Sequence, residues 1–81
     1  MIKINDKNYL SIPEIQIYFL DKYNKKISRQ TLHWKCKKVW RENVQKIKIG
    51  KYNHYHVEEN FAKAFLEKFY QRKYKKPPQV V

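Results

Sequence analysis

The stretch that decides the fold is Ile27-Ser28-Arg29-Gln30-Thr31-Leu32-His33-Trp34. Ser28 is a residue type that caps helix N-termini, and Ile27 and Leu32 stand at the N′ and N4 positions of a hydrophobic staple. Leu32, Cys36 and Val39 then follow at i, i+4 and i+7, which predicts one buried stripe. The sequence therefore predicts a helix that begins after Ser28 and turns its other side to solvent.

The opposite side of this helix is polar and basic, and it supplies most of our candidate site residues. They are Ser28, Arg29, Gln30, His33, Trp34, Lys37, Lys38 and Arg41. Trp34 lies outside the apolar stripe and leaves two interpretations open. It packs beneath a neighbouring hairpin, or it contacts a nucleic acid or a protein partner. Trp40 is more simply a core residue.

A first helix precedes this one. Ser11 and Glu14 have the spacing of a capping box, and apolar residues at helical spacing extend the helix from about Pro13 to Tyr23. The polar segment Asn24–Lys26 then forms a turn. Two short capped helices joined by a tight polar turn predict a helix-turn-helix.

Residues 46–57 predict a β-hairpin after the second helix. The segments Lys46–Ile49 and His54–Val57 alternate between polar and apolar residues, with Gly50–Asn53 between them. The expected apolar face comprises Ile47, Ile49, Tyr55 and Val57, and the expected basic face comprises Lys46, Lys48, His54 and His56. A hairpin in this position corresponds to a wing. A similar alternation over Ile2–Ile4 indicates a short opening strand.

The C-terminal part predicts a third helix. Glu58 and Glu59 suit a helix N-terminus through the macrodipole, and Pro77–Pro78 ends the helix. The apolar stripe between them comprises Phe61, Phe65, Leu66, Phe69 and Tyr70. The sequence thus predicts a mainly α-helical α+β fold, a small winged helix-turn-helix, with one domain over residues 1–76 and a disordered tail over 77–81.

The positive charge of the chain is concentrated in its central part. Eleven of the 19 Lys and Arg residues lie between Lys22 and Lys51 with a single acid, Glu42, so this stretch carries +10 of the net +12. The 21 residues before it sum to −1. A solvated lysine-rich surface is the simpler alternative, but it would not leave the N-terminal part acidic. The pattern favours a polyanionic partner, with nucleic acid as the first candidate.

Other functional classes find little support. The seven acidic residues are scattered and Ser28 is better explained as a helix cap than as a nucleophile, so we expect no enzyme. His33-x-x-Cys36 with His54-x-His56 lacks the spacing of a recognised zinc site, and we expect neither a metal nor a cofactor. The single cysteine, the lack of an apolar run of about 18 residues and the lack of a signal peptide predict a cytoplasmic protein without membrane contact.

From Tyr9 to about Phe69, the order of these motifs resembles the excisionase and MerR-like winged helix-turn-helix families. The resemblance is carried by Tyr9–Ile15, Ile27–Trp34, Ile49–Lys51 and Tyr55–Val57. It implies that the second helix enters the major groove of DNA and that the wing touches the backbone or the minor groove. The implied contacts are Arg29, Gln30, His33 and Lys37 on the helix and Lys48, Lys51 and His54 on the wing.

Two departures refine this comparison. His54 and His56 stand where such wings usually present an arginine, and the chain has no residues left for the dimerisation helix and effector site of MerR regulators. We therefore expect a small sequence-preferring DNA-binding protein, such as an excisionase-like recombination directionality factor or a regulator of a mobile element. The alternative is a replication accessory that docks onto a polymerase, primase or helicase, or binds single-stranded DNA, with its C-terminal helix supporting self-association or a protein contact.

Overall fold

The computed structural model describes residues 1–74, which form a small α+β domain. The elements in chain order are β1 (Ile2–Ile4), β2 (Lys7–Ser11), α1 (Ile12–Tyr23), α2 (Arg29–Lys38), β3 (Val44–Ile49), β4 (Tyr52–Glu58) and α3 (Glu59–Tyr74). The strands form one antiparallel sheet in the order β1-β2-β4-β3. The predicted order of two helices, a hairpin and a third helix is confirmed, but the sheet is larger than predicted. The predicted tail over 77–81 lies outside the described residues.

An N-terminal hairpin enlarges the sheet. Asn5 and Asp6 both have positive φ, 49° and 64°, as a two-residue type I′ turn requires. The second strand of this hairpin, β2, pairs with β4, so that Leu10 lies opposite Val57. The sequence indicated only the opening strand, because β2 starts with polar residues and has its two buried residues adjacent instead of alternating.

Both predicted helix starts are confirmed. Ser11 and Glu14 form a capping box, with Ser11 N 3.0 Å from Glu14 Oε1 and Glu14 N 3.3 Å from Ser11 Oγ. Ser28 Oγ caps α2 by accepting a hydrogen bond from the backbone N–H three residues further on, at 3.1 Å. Gln16 Nε2 donates to the carbonyl oxygen of Ile27 at 3.0 Å, which ties α1 to the turn before α2.

The core is built from all three helices and from β2 and β4. Its completely or almost completely buried large side chains are Ile15, Phe19, Leu32, Val57 and Leu66. Trp40 is buried as predicted, and its ring packs edge-on against Phe61 and Phe65. The apolar stripe of α2 is shorter than predicted. Val39 lies at the C-cap, one residue past the end of α2 at Lys38, and is 49% exposed.

The β3–β4 hairpin has a register that differs from the prediction. A two-residue turn, Gly50–Lys51, closes it, and Ile47 consequently lies opposite His54. Directly opposed residues of an antiparallel pair share a face. A face that combines Ile47 with Tyr55 would need a loop with an odd number of residues. The predicted apolar and basic faces are therefore wrong. Ile47 and Ile49 of β3 lie on one face of the hairpin, whereas Tyr55 and Val57 of β4 lie on the other.

Each face of the hairpin is consequently mixed. The first face carries Val44, Lys46, Lys48, Tyr55 and Val57, and the second carries Ile47, Ile49, Tyr52, His54 and His56. Val57 fixes the first face toward the core, because its side chain is fully buried. His56, predicted on an exposed basic face, is buried where β4 pairs with β2.

The third helix begins as predicted and uses its aromatic residues within the molecule. The two carboxylate oxygens of Glu58 accept hydrogen bonds from the backbone N–H groups of Asn60 and Phe61, at 3.3 and 3.0 Å. The three phenylalanines of α3 are half-buried against the core. Tyr70 stacks on Tyr23 of α1, with ring centroids 4.6 Å apart.

Candidate nucleic-acid interface

The exposed side of α2 gathers six of the predicted site residues in one shallow depression. The depression has a volume of about 490 Å³ and is lined by Arg29, Gln30, His33, Trp34, Lys37 and Lys38. The helix presents this side because Leu32 and Cys36 turn the opposite side into the core. Ser28, another predicted contact, is engaged in capping α2, and its Oγ lies 2.7 Å from Thr31 Oγ1.

An aromatic pair joins α2 to the β3–β4 hairpin. The rings of His33 and Tyr55 meet edge to face, with centroids 5.1 Å apart and an interplanar angle of 81°. Trp34 does not take this position. Its side chain is 55% exposed, and Lys35 Nζ lies 5.6 Å from its ring centroid. Of the two interpretations of Trp34, packing beneath the hairpin is therefore wrong, and its ring is accessible to a ligand.

A second depression extends from α2 to the hairpin and to the start of α1. It has a volume of about 520 Å³ and is lined by Ser11, Ile12, Pro13, Arg29, His33, Tyr52, Asn53, His54 and Tyr55. Arg29 and His33 line both depressions, so the two adjoin each other. Predicted residues of the helix and of the hairpin thus meet here, with His54 and Arg29 in the lining of one groove.

A third depression lies between the C-terminal end of α2 and β3. It is lined by Cys36, Lys37, Trp40, Arg41, Val44, Lys46 and Tyr55. Arg41 was among the predicted site residues, but Lys46 was not. Lys46 belongs here because it lies opposite Tyr55, on the face of the hairpin that meets α2. Only the correct hairpin register could have revealed it. Lys48 and Lys51, which were predicted, line none of these three depressions.

The three depressions together form what we call the α2 surface, which is basic and contains no carboxylate in its linings. Its formal cations are Arg29, Lys37, Lys38, Arg41 and Lys46. Within residues 1–74, ion pairs join the Met1 amine to Glu14 and Lys63 to Glu59, and neither involves the basic stretch 22–51. The cations of the α2 surface are therefore exposed and uncompensated, an arrangement suited to phosphate groups.

Helix electrostatics explain only part of this charge. Lys37 and Lys38 lie in the last turn of α2, where cations interact favourably with the macrodipole. Arg29 is the first residue of the helix, at the end where the dipole is positive and a cation is unfavourable. Lys46 lies on a strand and has no such role. Stabilisation of α2 therefore does not account for Arg29 and Lys46, and both are exposed cations.

The arrangement of Cys36 and the histidines offers no metal centre. Burial raises the pKa of the Cys36 thiol to about 11, so the thiol is neutral at physiological pH. His33 contacts Tyr55, and His56 is buried in the sheet. Among residues 1–74, no three His, Cys, Asp or Glu side chains come together as a set that could bind one metal ion.

Comparisons with protein-family models, curated proteins and solved structures find no match to this chain. None of the helices within residues 1–74 combines the length and apolar composition needed to cross a lipid bilayer. Function is therefore inferred from the chemistry of the α2 surface.

Proposed function

We propose that this protein binds duplex DNA through the α2 surface, as a small winged helix-turn-helix with α2 as recognition helix and the β3–β4 hairpin as wing. The observation that carries the proposal is the basic lining, without carboxylates, of three adjoining depressions on α2 and the hairpin. The major groove of B-DNA, about 12 Å wide, admits an α-helix. An α-helix is about 10–12 Å in diameter, and the ten residues of α2 make it about 15 Å long, so it fits the width of that groove and spans less than half a turn of the duplex.

The two ends of α2 suit different contacts. Arg29 and Gln30 occupy its first turn, where the base contacts of recognition helices concentrate. Arginine pairs well with guanine and glutamine with adenine. Lys37 and Arg41, at the other end, suit phosphates, which position a protein on DNA without reading its sequence. Affinity then comes mainly from phosphate neutralisation and sequence preference from the first turn.

Within this class, we propose an excisionase-like role, either as a recombination directionality factor or as a regulator of a mobile element. Its support is the resemblance in motif order from Tyr9 to Phe69. Proteins of this kind place one recognition helix and one wing on DNA, and the α2 surface combines one helix with one hairpin.

Trp34 supports a second candidate, an accessory protein that holds single-stranded DNA. Trp34 is 55% exposed and lines the first depression together with Arg29, Lys37 and Lys38. An exposed aromatic ring among lysines is a platform on which unpaired bases stack. If this candidate is correct, Trp34→Ala will weaken binding to single strands far more than binding to duplex.

Fluorescence anisotropy with labelled duplex and single-stranded oligonucleotides of one sequence separates the candidates. The test variant carries glutamine at Lys37, Arg41 and Lys46. A matched control carries glutamine at Lys3, Lys7 and Lys68, which are exposed and lie outside the α2 surface. Both variants lose the same formal charge, so they differ only in where it is removed.

We expect the test variant to lose about tenfold or more in duplex affinity, because three phosphate contacts are removed. The control should lose much less. Equal losses in both variants would indicate attraction by net charge alone and would contradict the proposed interface. Tighter binding of the single strand, with a loss in Trp34→Ala, would favour the second candidate.

A further inference from the structure

The tip of the β3–β4 hairpin exposes two large apolar side chains side by side. Ile49 and Tyr52 are directly opposed across the two-residue turn, and their exposed fractions are 58% and 73%. Directly opposed residues point to the same face of a hairpin. The two side chains therefore form one apolar patch at the tip, which we call the tip pair.

Folding does not account for the tip pair. Both residues lie outside the hydrophobic core cluster. The turn itself is set by Gly50, whose φ is +62°, a conformation that glycine adopts without strain. A cross-strand contact between Ile49 and Tyr52 supports the hairpin, but it leaves most of both side chains in water. An exposed patch of this kind indicates an interaction surface.

The charges around the tip pair indicate the partner. Lys48 and Lys51 are its immediate neighbours in sequence, and residues 43–57 contain no Asp or Glu. A partner that suits both the lysines and the apolar pair must offer negative charges beside an apolar surface. Nucleic acid combines phosphates with the faces of bases and with sugars. Because Tyr52 also lines the groove that contains Arg29, the tip pair and the α2 surface can engage one molecule.

We propose that the tip pair inserts into the minor groove of bound duplex DNA and opens a base step, while Lys48 and Lys51 bind the flanking phosphates. This proposal rests on the proposed duplex binding and adds a distortion of the DNA to it. The minor groove is about 6 Å wide and the two strands of a hairpin are about 4.8 Å apart, so both side chains enter only if the groove widens. Apolar side chains that wedge into a step from this groove kink the duplex by about 20–90°.

The free-energy cost of opening a base step predicts where in the DNA the tip pair inserts. Pyrimidine–purine steps, above all TA, unstack at the lowest cost. A site with TA at the position reached by the hairpin should therefore bind more tightly than the same site with a stiff A-tract there. Replacement of the tip pair should remove this preference.

The experiment combines two readouts on a duplex of about 30 base pairs that carries a donor and an acceptor dye at its ends. Anisotropy gives the affinity, and energy transfer between the dyes reports bending. The test variant is Ile49→Ala/Tyr52→Ala. The control is Ile17→Ala, which removes an aliphatic side chain of matching exposure, 60%, from α1. Tyr52→Thr is the second test variant, since threonine keeps the strand propensity of the hairpin and removes only the ring.

We expect the unmodified protein and Ile17→Ala to increase energy transfer on binding. Both test variants should bind without this increase, with affinity reduced about tenfold for the double variant. The dependence of their binding on salt should be unchanged, because no phosphate contact is removed.

Two outcomes would overturn the inference and leave the proposed function standing. One is duplex binding by the unmodified protein without a change in energy transfer. The other is an equal change in the double variant. Failure of the unmodified protein to bind duplex at low salt would instead refute the proposed function itself. Binding to vesicles of anionic phospholipid that requires the tip pair, with DNA binding independent of it, would assign the tip pair to a lipid surface and likewise overturn the inference.

Discussion

His33 on α2 and Tyr55 on β4 are in edge-to-face contact, with ring centroids 5.1 Å apart. Tyr55 lines the depressions on both sides of this contact, and His33 continues the lining onto the exposed side of α2. The pair is thus the contact between the helix and the hairpin at which their depressions adjoin. It sets the position of the hairpin relative to the helix that we propose as the DNA reader.

A double-mutant cycle should detect this junction. We expect His33→Ala and Tyr55→Ala to be coupled by about 0.5–1.5 kcal/mol in the free energy of unfolding, the range for aromatic pairs in this geometry. Urea denaturation of the two single variants and the double variant measures the coupling. Trp34→Ala serves as a control, because its exposed ring should change stability little. Additive effects of His33→Ala and Tyr55→Ala would mean that the contact does not hold the hairpin.

The cap of α2 should contribute measurably to stability. Ser28→Ala removes the acceptor of a backbone N–H, and we expect a loss of about 1 kcal/mol and a melting temperature lowered by about 4–8 °C. Ser28→Asp should retain most of the stability, since aspartate caps helices equally well. Thermal unfolding followed by circular dichroism makes the comparison. If alanine and aspartate behave alike at this position, the start of α2 is misplaced.

Glu14 should make stability depend on pH. Hydrogen bonds from the Met1 amine, and then from the Ser11 N–H, lower the pKa of this carboxyl below its ordinary value of 4.5. A group with a lowered pKa stabilises the folded state above its unfolded pKa, and the contribution is lost as the pH falls through its folded pKa. Glu14→Gln should therefore be less stable than the unmodified protein at pH 7, with a difference that shrinks below pH 4. Urea titrations across this range measure it, and a difference independent of pH would contradict the assignment.

The first turn of α2 and the tip of the hairpin should affect DNA binding differently. Arg29→Ala and Gln30→Ala should each relax base preference, at a cost of about 1–3 kcal/mol on the preferred site if the lost contact is bidentate. Lys51→Ala should weaken binding to all sequences alike. Competition between a selected site and random duplex measures both effects. Equal losses on specific and random DNA in Arg29→Ala would show that α2 does not read bases.

The helix starts could be predicted from sequence because their determinants are local. The capping interactions of Ser11 and Ser28 span three residues, and each involves a side chain whose preference for that position is strong. The grouping of α2 residues around Arg29 follows from the same helical spacing. These parts of the fold and of the candidate site were therefore accessible without the structure.

The sheet could not be predicted in the same way, because it depends on pairings between distant residues. Whether the loop of the β3–β4 hairpin has an even or an odd number of residues decides which side chains share a face. An error of one residue in the predicted loop length moves Lys46 to the face that points away from α2. The pairing of β2 with β4 spans almost fifty residues and has no local pattern. The burial of His56 follows from the pairing of β4 with β2.

The dependence of duplex binding on salt tests the central claim most directly. If the five cations of the α2 surface and the two lysines at the hairpin tip, Lys48 and Lys51, each neutralise one phosphate, the logarithm of the binding constant should fall against the logarithm of salt concentration with a slope of about −6.3. The variant with glutamine at Lys37, Arg41 and Lys46 should reduce that slope to about −3.6. A slope near zero, or no duplex binding at low salt, would contradict the proposal that the α2 surface binds DNA.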